Sequence, residues 1–198
     1  MSELMLVSGL PGVGKTSVVH RLASQYPAEF ARVHFGALLR AAVESRVGDS
    51  MSHNAFRANF TQLLTRSDFE AATSVARMNA DQASARICLL DSHAVTPTED
   101  GLRATPDNAN RLKTLRMSGL IHISSAEVTH RIVTNSQTQG RHSMTDMEAQ
   151  IAEIMQVSVM VGYSAGYDCP LLLISGDGDV ESVAGRLAGA ARSILDAA

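Results

Sequence analysis

The chain has 198 residues, 45% hydrophobic and 19% charged, with 17 basic against 20 acidic side chains and a formal net charge of −3. That length and balance suit one globular domain with a full core, and exclude disordered and fibrous classes. The slightly acidic balance speaks against nucleic acid or a membrane surface as partner, while leaving room for a local cationic site for phosphates.

Cys88 and Cys169 lie far apart with no CxxC spacing, so neither a disulfide framework nor a zinc site is expected. The opening MSELMLVSGLPGVGKT has no basic stretch and only a short apolar run, unlike a secretory signal. No window reaches the roughly 18 apolar residues of a membrane-spanning helix. The expectation is a soluble, cytoplasmic protein.

Five short apolar runs, at 4–8, 32–35, 87–91, 120–124 and 171–175, alternate with longer helical patterns. Continuous rather than alternating hydrophobicity marks parallel strands covered on both faces. The fold class read from this order is α/β, a five-stranded parallel sheet flanked by helices. Between the second and third strands, residues 36–85 form a mostly helical insertion broken around 48–54. Residues 96–107, rich in Pro, Thr and Gly, read as a loop, and QTQGRHS at 137–143 as a short polar segment between helices. Thr145 with Glu148 forms a capping-box pattern, and Asp146 adds negative charge at the positive helix end. Behind them Met147, Ile151, Ile154, Met155, Ser158 and Val161 recur at helical spacing, and Met160 fits packing too. The last helix is expected to start at Asp179, with Val180, Val183, Ala184, Leu187, Ala191 and Ile194 on one face. Gly185 and Gly189, four apart, read there as allowing close packing on the sheet.

Residues 9–16 read GLPGVGKT, a complete G-x-x-x-x-G-K-[ST] motif between a strand and a helix. Gly9, Gly12 and Gly14 let the backbone bend around phosphate oxygens, with amides from there through Val13, Lys15, Thr16 and Ser17 available to cradle them. The helix N-terminus adds partial positive charge. Lys15 is placed to reach the β- and γ-phosphates of ATP, and the Thr16 hydroxyl to ligate Mg²⁺. Asp91 ends the third strand at the carboxyl edge of the sheet, where it can hold Mg²⁺ or its water. His93 follows two residues later, suited either to a structural hydrogen bond or to substrate contact. His122 lies within a strand and reads as a satisfied core residue, while His142 stands beside Arg141. Cys88 reads as a small buried hydrophobe. Arg40, Arg46, Arg57 and Arg66 are candidates to grip an acceptor phosphate with a planar fork, with Arg103 on the opposite loop. Residues 176–178, Gly-Asp-Gly, form either a base-contacting loop or a tight turn.

GLPGVGKT, then VHFGALLR, then LLDSHAVTP follow the motif order of archaeal-type adenylate kinases, and the chain resembles that family along its length. The resemblance implies a P-loop kinase domain over 1–198, with an acceptor-binding insertion at about 36–85 and a short lid at about 136–144. It implies Gly36 and His93 on the acceptor, with Arg57 foremost among the arginine candidates and Arg40 a weaker one, and Arg141 in the lid. Lys15, Asp91, Arg131 and Arg141 would then carry the transfer. Where such lids have two arginines and an acid, this chain keeps Arg141, with Gln139 and His142 at the other places. The arginine of the helix after the lid appears as Val157 or a neighbour, leaving Arg131 as the second cation. Two kinase readings follow: transfer from Mg·ATP to AMP, or transfer by a diverged kinase to another nucleotide, a nucleoside or a small metabolite. A nucleotide-dependent switch is a third. Oligomeric state stays open.

Overall fold

A computed structural model describes residues 2–52, 55–56, 59–98, 101–104, 114–126 and 144–197. Arg57, Arg131, Arg141, Gln139, His142 and all but the last residue of the expected lid lie outside the described residues. In chain order the elements are β1 (Glu3–Ser8), α1 (Lys15–Gln25), β2 (Phe30–His34), α2 (Phe35–Val47), α3 (Phe60–Leu63), α4 (Arg66–Gln82), β3 (Ile87–Asp91), β4 (Val95–Thr98), β5 (Gly101–Ala104), β6 (Met117–Ser124), α5 (Asp146–Tyr167), β7 (Leu171–Ser175) and α6 (Val180–Asp196).

The five expected strands form one parallel sheet in the order β2-β3-β1-β6-β7. Its central strands carry apolar residues in unbroken runs because both faces are covered, and β3 is buried at every position. Met5, Val7, Leu89, Ile121 and Ile123 face one side, packing against α1 and α6 through Val19, Leu22, Leu187 and Ile194. Leu4, Leu6, Cys88, Leu90 and Leu120 face the other, where Ala76, Ala80 and Met160 cover them. Leu39, Val43, Phe56, Phe69 and Ala72 form a smaller cluster between α2 and α4. Complete burial of one such aliphatic side chain contributes about 1.5–3 kcal/mol. Burial pushes the Cys88 thiol up to about 11, which fits an inert packing role. Among the described residues no helix is long and apolar enough to cross a membrane.

Parallel register decides what meets at the carboxyl edge. Val7 and His34 both stand opposite Asp91, and Ser8 stands opposite His122. Four strand ends thus deliver a row of polar side chains to the mouth of the phosphate loop.

Four expectations change. Phe35 belongs to α2 rather than to the second strand, which starts earlier, at Phe30. Part of the expected loop at 96–107 is an antiparallel hairpin, β4 with β5, from Val95↔Ala104 to Thr98↔Gly101. Gly185 and Gly189 are exposed, with nothing within 4 Å of an added Cβ; close helix–sheet approach falls instead at Gly119, whose Cβ would lie 2.6 Å from Ile194 Cγ2. On α5 the sheet-facing residues are Ala149, Ala152, Gln156 and Met160, while Met147 (71%), Ile154 (67%), Val161 (53%) and Ile151 (46%) are exposed. Small side chains let α5 approach the sheet, so its more hydrophobic side turns outward. Its start is as expected: the Thr145 side chain and Glu148 form a reciprocal capping box.

Candidate functional site

β1 ends at Ser8 and the chain turns at once. Gly12 and Gly14 have φ of +94° and +96°, values that glycine adopts without the steric cost of a Cβ. Gly9 has φ +150°, and a Cβ there would lie 2.5 Å from the Ile123 carbonyl oxygen. Gly14 is the N-cap of α1 and supplies no side chain to its first-turn amides. An N-terminus left this way, facing a concave loop, suits an anion such as phosphate.

Lys15 opens α1 and is only 4% exposed. Its Nζ donates to the carbonyls of Gly9 (2.8 Å) and Leu10 (3.2 Å) and lies 3.1 Å from His93 Nδ1. The same Nδ1 is 2.9 Å from the Gly9 carbonyl. One ring nitrogen cannot both accept from Lys15 and donate to Gly9, so the imidazole tautomer selects between these contacts. The ammonium is thus held over the loop it would share with a triphosphate.

The Thr16 hydroxyl donates to Asp91 Oδ2 at 2.6 Å, and Asp91 is 2% exposed. His34 Nε2 lies 3.9 Å from that carboxylate oxygen. A hydroxyl and a buried carboxylate in contact, both hard oxygen donors beside a phosphate-shaped loop, fit Mg²⁺. Thr16 and Asp91 are the residues that would hold it.

Next to this edge, α5 supplies two polar side chains that sequence reasoning missed. Glu153 Oε1 lies 2.8 Å from Nε2 of the wholly buried His122. Burial raises the Glu153 pKa, but hydrogen bonds from His122 and Ser124, with the nearby charges of His122 and Lys15, outweigh it and hold the carboxyl below its ordinary range. Gln156 Oε1 accepts from Ser8 Oγ at 2.9 Å and from the Ala94 amide at 3.1 Å. The signal was present: Glu153 and Gln156 are polar residues three apart on the helix, hence on one face. His122, expected to be satisfied, has its Nδ1 buried without a hydrogen-bond partner among the described residues.

The loop after β7 is also built into the site. Gly176 packs on Ile123 and Val13, where a Cβ would meet their side chains at 2.8 and 3.2 Å. Asp177 accepts from Ser125 Oγ (2.6 Å) and the Ala126 amide (3.1 Å), and Arg186 donates to the Ser175 and Asp177 carbonyls.

The acceptor-side arginines divide. Arg46 is a structural residue: its Nε donates to Asp68 Oδ1 at 3.0 Å, and a second guanidinium nitrogen donates to Asp68 Oδ2 (3.0 Å) and the Leu63 carbonyl (2.6 Å). Asp68, 2% exposed, needs that partner together with Thr65, whose amide and hydroxyl both donate to it. Arg66 pairs with Glu70 on the surface, and Arg103 is exposed on β5. Arg40 lies 3.7 Å from Glu44, one turn on, with its Nε buried and without a hydrogen-bond partner among the described residues. Gly36 sits in the first turn of α2, where a Cβ would stand 3.6 Å from the His34 ring.

The family model of an AAA domain, AAA_17, matches residues 8–151, from the last residue of β1 into α5. The chain belongs to this AAA-domain family. Among solved structures, this AAA-domain chain is similar to a sugar kinase from Janibacter sp. HTCC2649 in unliganded form, at 15% identity and TM-score 0.49, covering 99% of this chain and 95% of that one. It is also similar to a gluconokinase from Sinorhizobium meliloti 1021, at 14% identity and TM-score 0.48, covering 98% and 94%. A comparison with curated proteins finds no match.

Proposed function

We propose that this AAA-domain chain is an ATP-dependent kinase that phosphorylates a hydroxyl-bearing small metabolite or nucleoside. The contact between Thr16 and Asp91, set beside Lys15 at the phosphate loop, carries the reading. The loop amides and Lys15 hold the β- and γ-phosphates. Mg²⁺ on Thr16 and Asp91 would neutralise charge on those phosphates. The acceptor oxygen forms a bond to the γ-phosphorus, the bond to the β-phosphate oxygen breaks, ADP leaves, and the hydroxyl proton passes to solvent. The loop at 176–178, pinned beside Val13, suits contact with the adenine base. Residues 36–85 face the acceptor, with His93 and Gly36 near it; Arg141 and Arg131 would serve the transferring group.

A phosphorylated acceptor calls for an arginine fork. Arg46 and Arg66, two of the described candidates, are engaged with Asp68 and Glu70, and Glu153 adds a carboxylate within the field of Lys15. These observations favour an uncharged acceptor group. AMP is the second reading, supported by Gly36 standing in the first turn of α2, two residues after His34, in the order the adenylate-kinase resemblance implies.

An acceptor screen tests this. Mg·ATP is offered with sugars, sugar acids, nucleosides and nucleoside monophosphates, and products are read by phosphorus NMR. Acceptor-dependent ADP that drops on the order of 10²–10³-fold in Lys15→Ala is expected. Phosphorylation of AMP alone would replace the first reading by the second. ADP formed at one rate with every acceptor and with none would overturn both.

A further inference from the structure

Gln156 is wholly buried, on the sheet-facing side of α5. Its Oε1 accepts from two segments that are 86 residues apart by number, from the Ser8 hydroxyl and from the Ala94 backbone amide. Ser8 immediately precedes Gly9, whose carbonyl accepts from Lys15. Ala94 immediately follows His93, whose Nδ1 lies against both Lys15 and that carbonyl. One side-chain oxygen therefore joins the start of the phosphate loop to the turn that carries Asp91 and His93.

The amide orientation is determined by chemistry. A backbone N–H only donates, so the Ala94 amide requires the carbonyl oxygen of Gln156 and not its NH₂. Nε2 then points away, buried and without a hydrogen-bond partner among the described residues. Buried donors left unpaired cost stability, and a leucine would fill the space without them. What Gln156 supplies in exchange is the link between the two segments.

We propose that Gln156 is a positioning residue for phosphoryl transfer: its carboxamide oxygen holds the turn at 92–94, and with it His93, in register with Gly9 and Lys15. The proposal rests on the kinase reading for its kinetic effect, but the link itself does not depend on that reading. Misplacement of about 1 Å in such a site lowers a rate about 10²-fold. Losing the link acts on the geometry of transfer more than on the hold of the loop amides on ATP.

The test compares wild type with Gln156→Leu, which removes the oxygen, and Gln156→Glu, which keeps one. Two quantities are read: the nitrogen NMR shifts of the His93 ring in nucleotide-free protein, and kcat and KM for ATP with the acceptor found by the screen. In Gln156→Leu the His93 shifts move and kcat falls about 10–100-fold with the KM for ATP within about threefold, and Gln156→Glu restores both toward wild type. Unchanged His93 shifts and kcat within twofold in folded Gln156→Leu would overturn the proposal. So would Gln156→Glu failing to restore either quantity while folded. If Gln156→Leu does not fold, Gln156→Glu decides: wild-type shifts and kcat support the link, and altered ones refute it. If wild type phosphorylates nothing, the kinase reading fails, and the His93 shifts alone decide the link.

Discussion

Replacing Gly9 by alanine puts a methyl carbon 2.5 Å from the Ile123 carbonyl oxygen and 3.1 Å from Val13 Cγ1. A comfortable carbon–oxygen contact needs about 3.3–3.6 Å, so the first contact is short by roughly 1 Å. The Ile123 oxygen is backbone in the central region of the sheet and cannot swing aside as a side-chain tip would. Either β1 and β6 separate at their carboxyl ends or the loop rotates away from its curve. Overpacking of this kind costs about 1–3 kcal/mol, and a residue with a Cβ at φ +150° adds about 1–3 kcal/mol of backbone strain. The expected loss is thus about 2–6 kcal/mol, a large part of the roughly 5–15 kcal/mol typical of a domain. Urea unfolding should show a lower midpoint with an unchanged slope. Titration with Mg·ATP should show affinity at least about tenfold weaker, because the displaced amides no longer converge on the phosphates. Stability within about 0.5 kcal/mol of wild type, with unchanged Mg·ATP affinity, would refute the close approach of Gly9 to β6 as the reason for glycine there.

Gly185→Ala should stabilise the protein by about 0.5–1 kcal/mol in urea unfolding, since the position is an exposed helix interior with open space for a methyl. Leu187→Ala, at a residue with no exposed surface, should cost about 2–5 kcal/mol in the same assay. Ile154→Lys should change stability by less than about 0.5 kcal/mol, as its side chain is 67% exposed. Glu153 has its folded pKa depressed, so the native state releases its proton more readily than the unfolded chain. Its stabilisation is present above the unfolded value of about 4.3 and is lost as pH falls through the folded one. Glu153→Gln should therefore flatten the acid limb of stability below about pH 5, measured by urea melts from pH 3 to 7.

The strands and the phosphate loop were legible because their signals are local. Apolar runs such as ICLLD can hardly be anything but buried strands when glycines and helical patterns flank them, and GLPGVGKT carries its chemistry in eight consecutive residues. Asp91 was legible at one remove, because parallel register places the end of β3 beside the loop after β1. The face of α5 was not. Hydrophobic periodicity points to Met147, Ile151, Ile154 and Val161, whereas close approach to the sheet selects Ala149 and Ala152 for their size. With that face inverted, nothing drew attention to Gln156 and Glu153 as partners of Ser8 and His122. The pairing of β4 with β5 was hidden by Pro97 and Gly101, turn formers that here lie within the antiparallel pair, opposite Leu102 and Thr98. Arg46 looked like a free cation because its partner, Asp68, lies 22 residues away across a helix break.

The central claim is that Lys15, Thr16 and Asp91 pass the γ-phosphoryl of ATP to an acceptor molecule. The most direct measurement follows γ-labelled ATP in a single turnover with the acceptor identified by the screen, in wild type and in Asp91→Asn. The account predicts label on the acceptor, dependent on Mg²⁺ and slowed on the order of 10²-fold or more by the substitution. Label released only as inorganic phosphate, at a rate indifferent to acceptor, would contradict it and make the chain a nucleotide-hydrolysing switch.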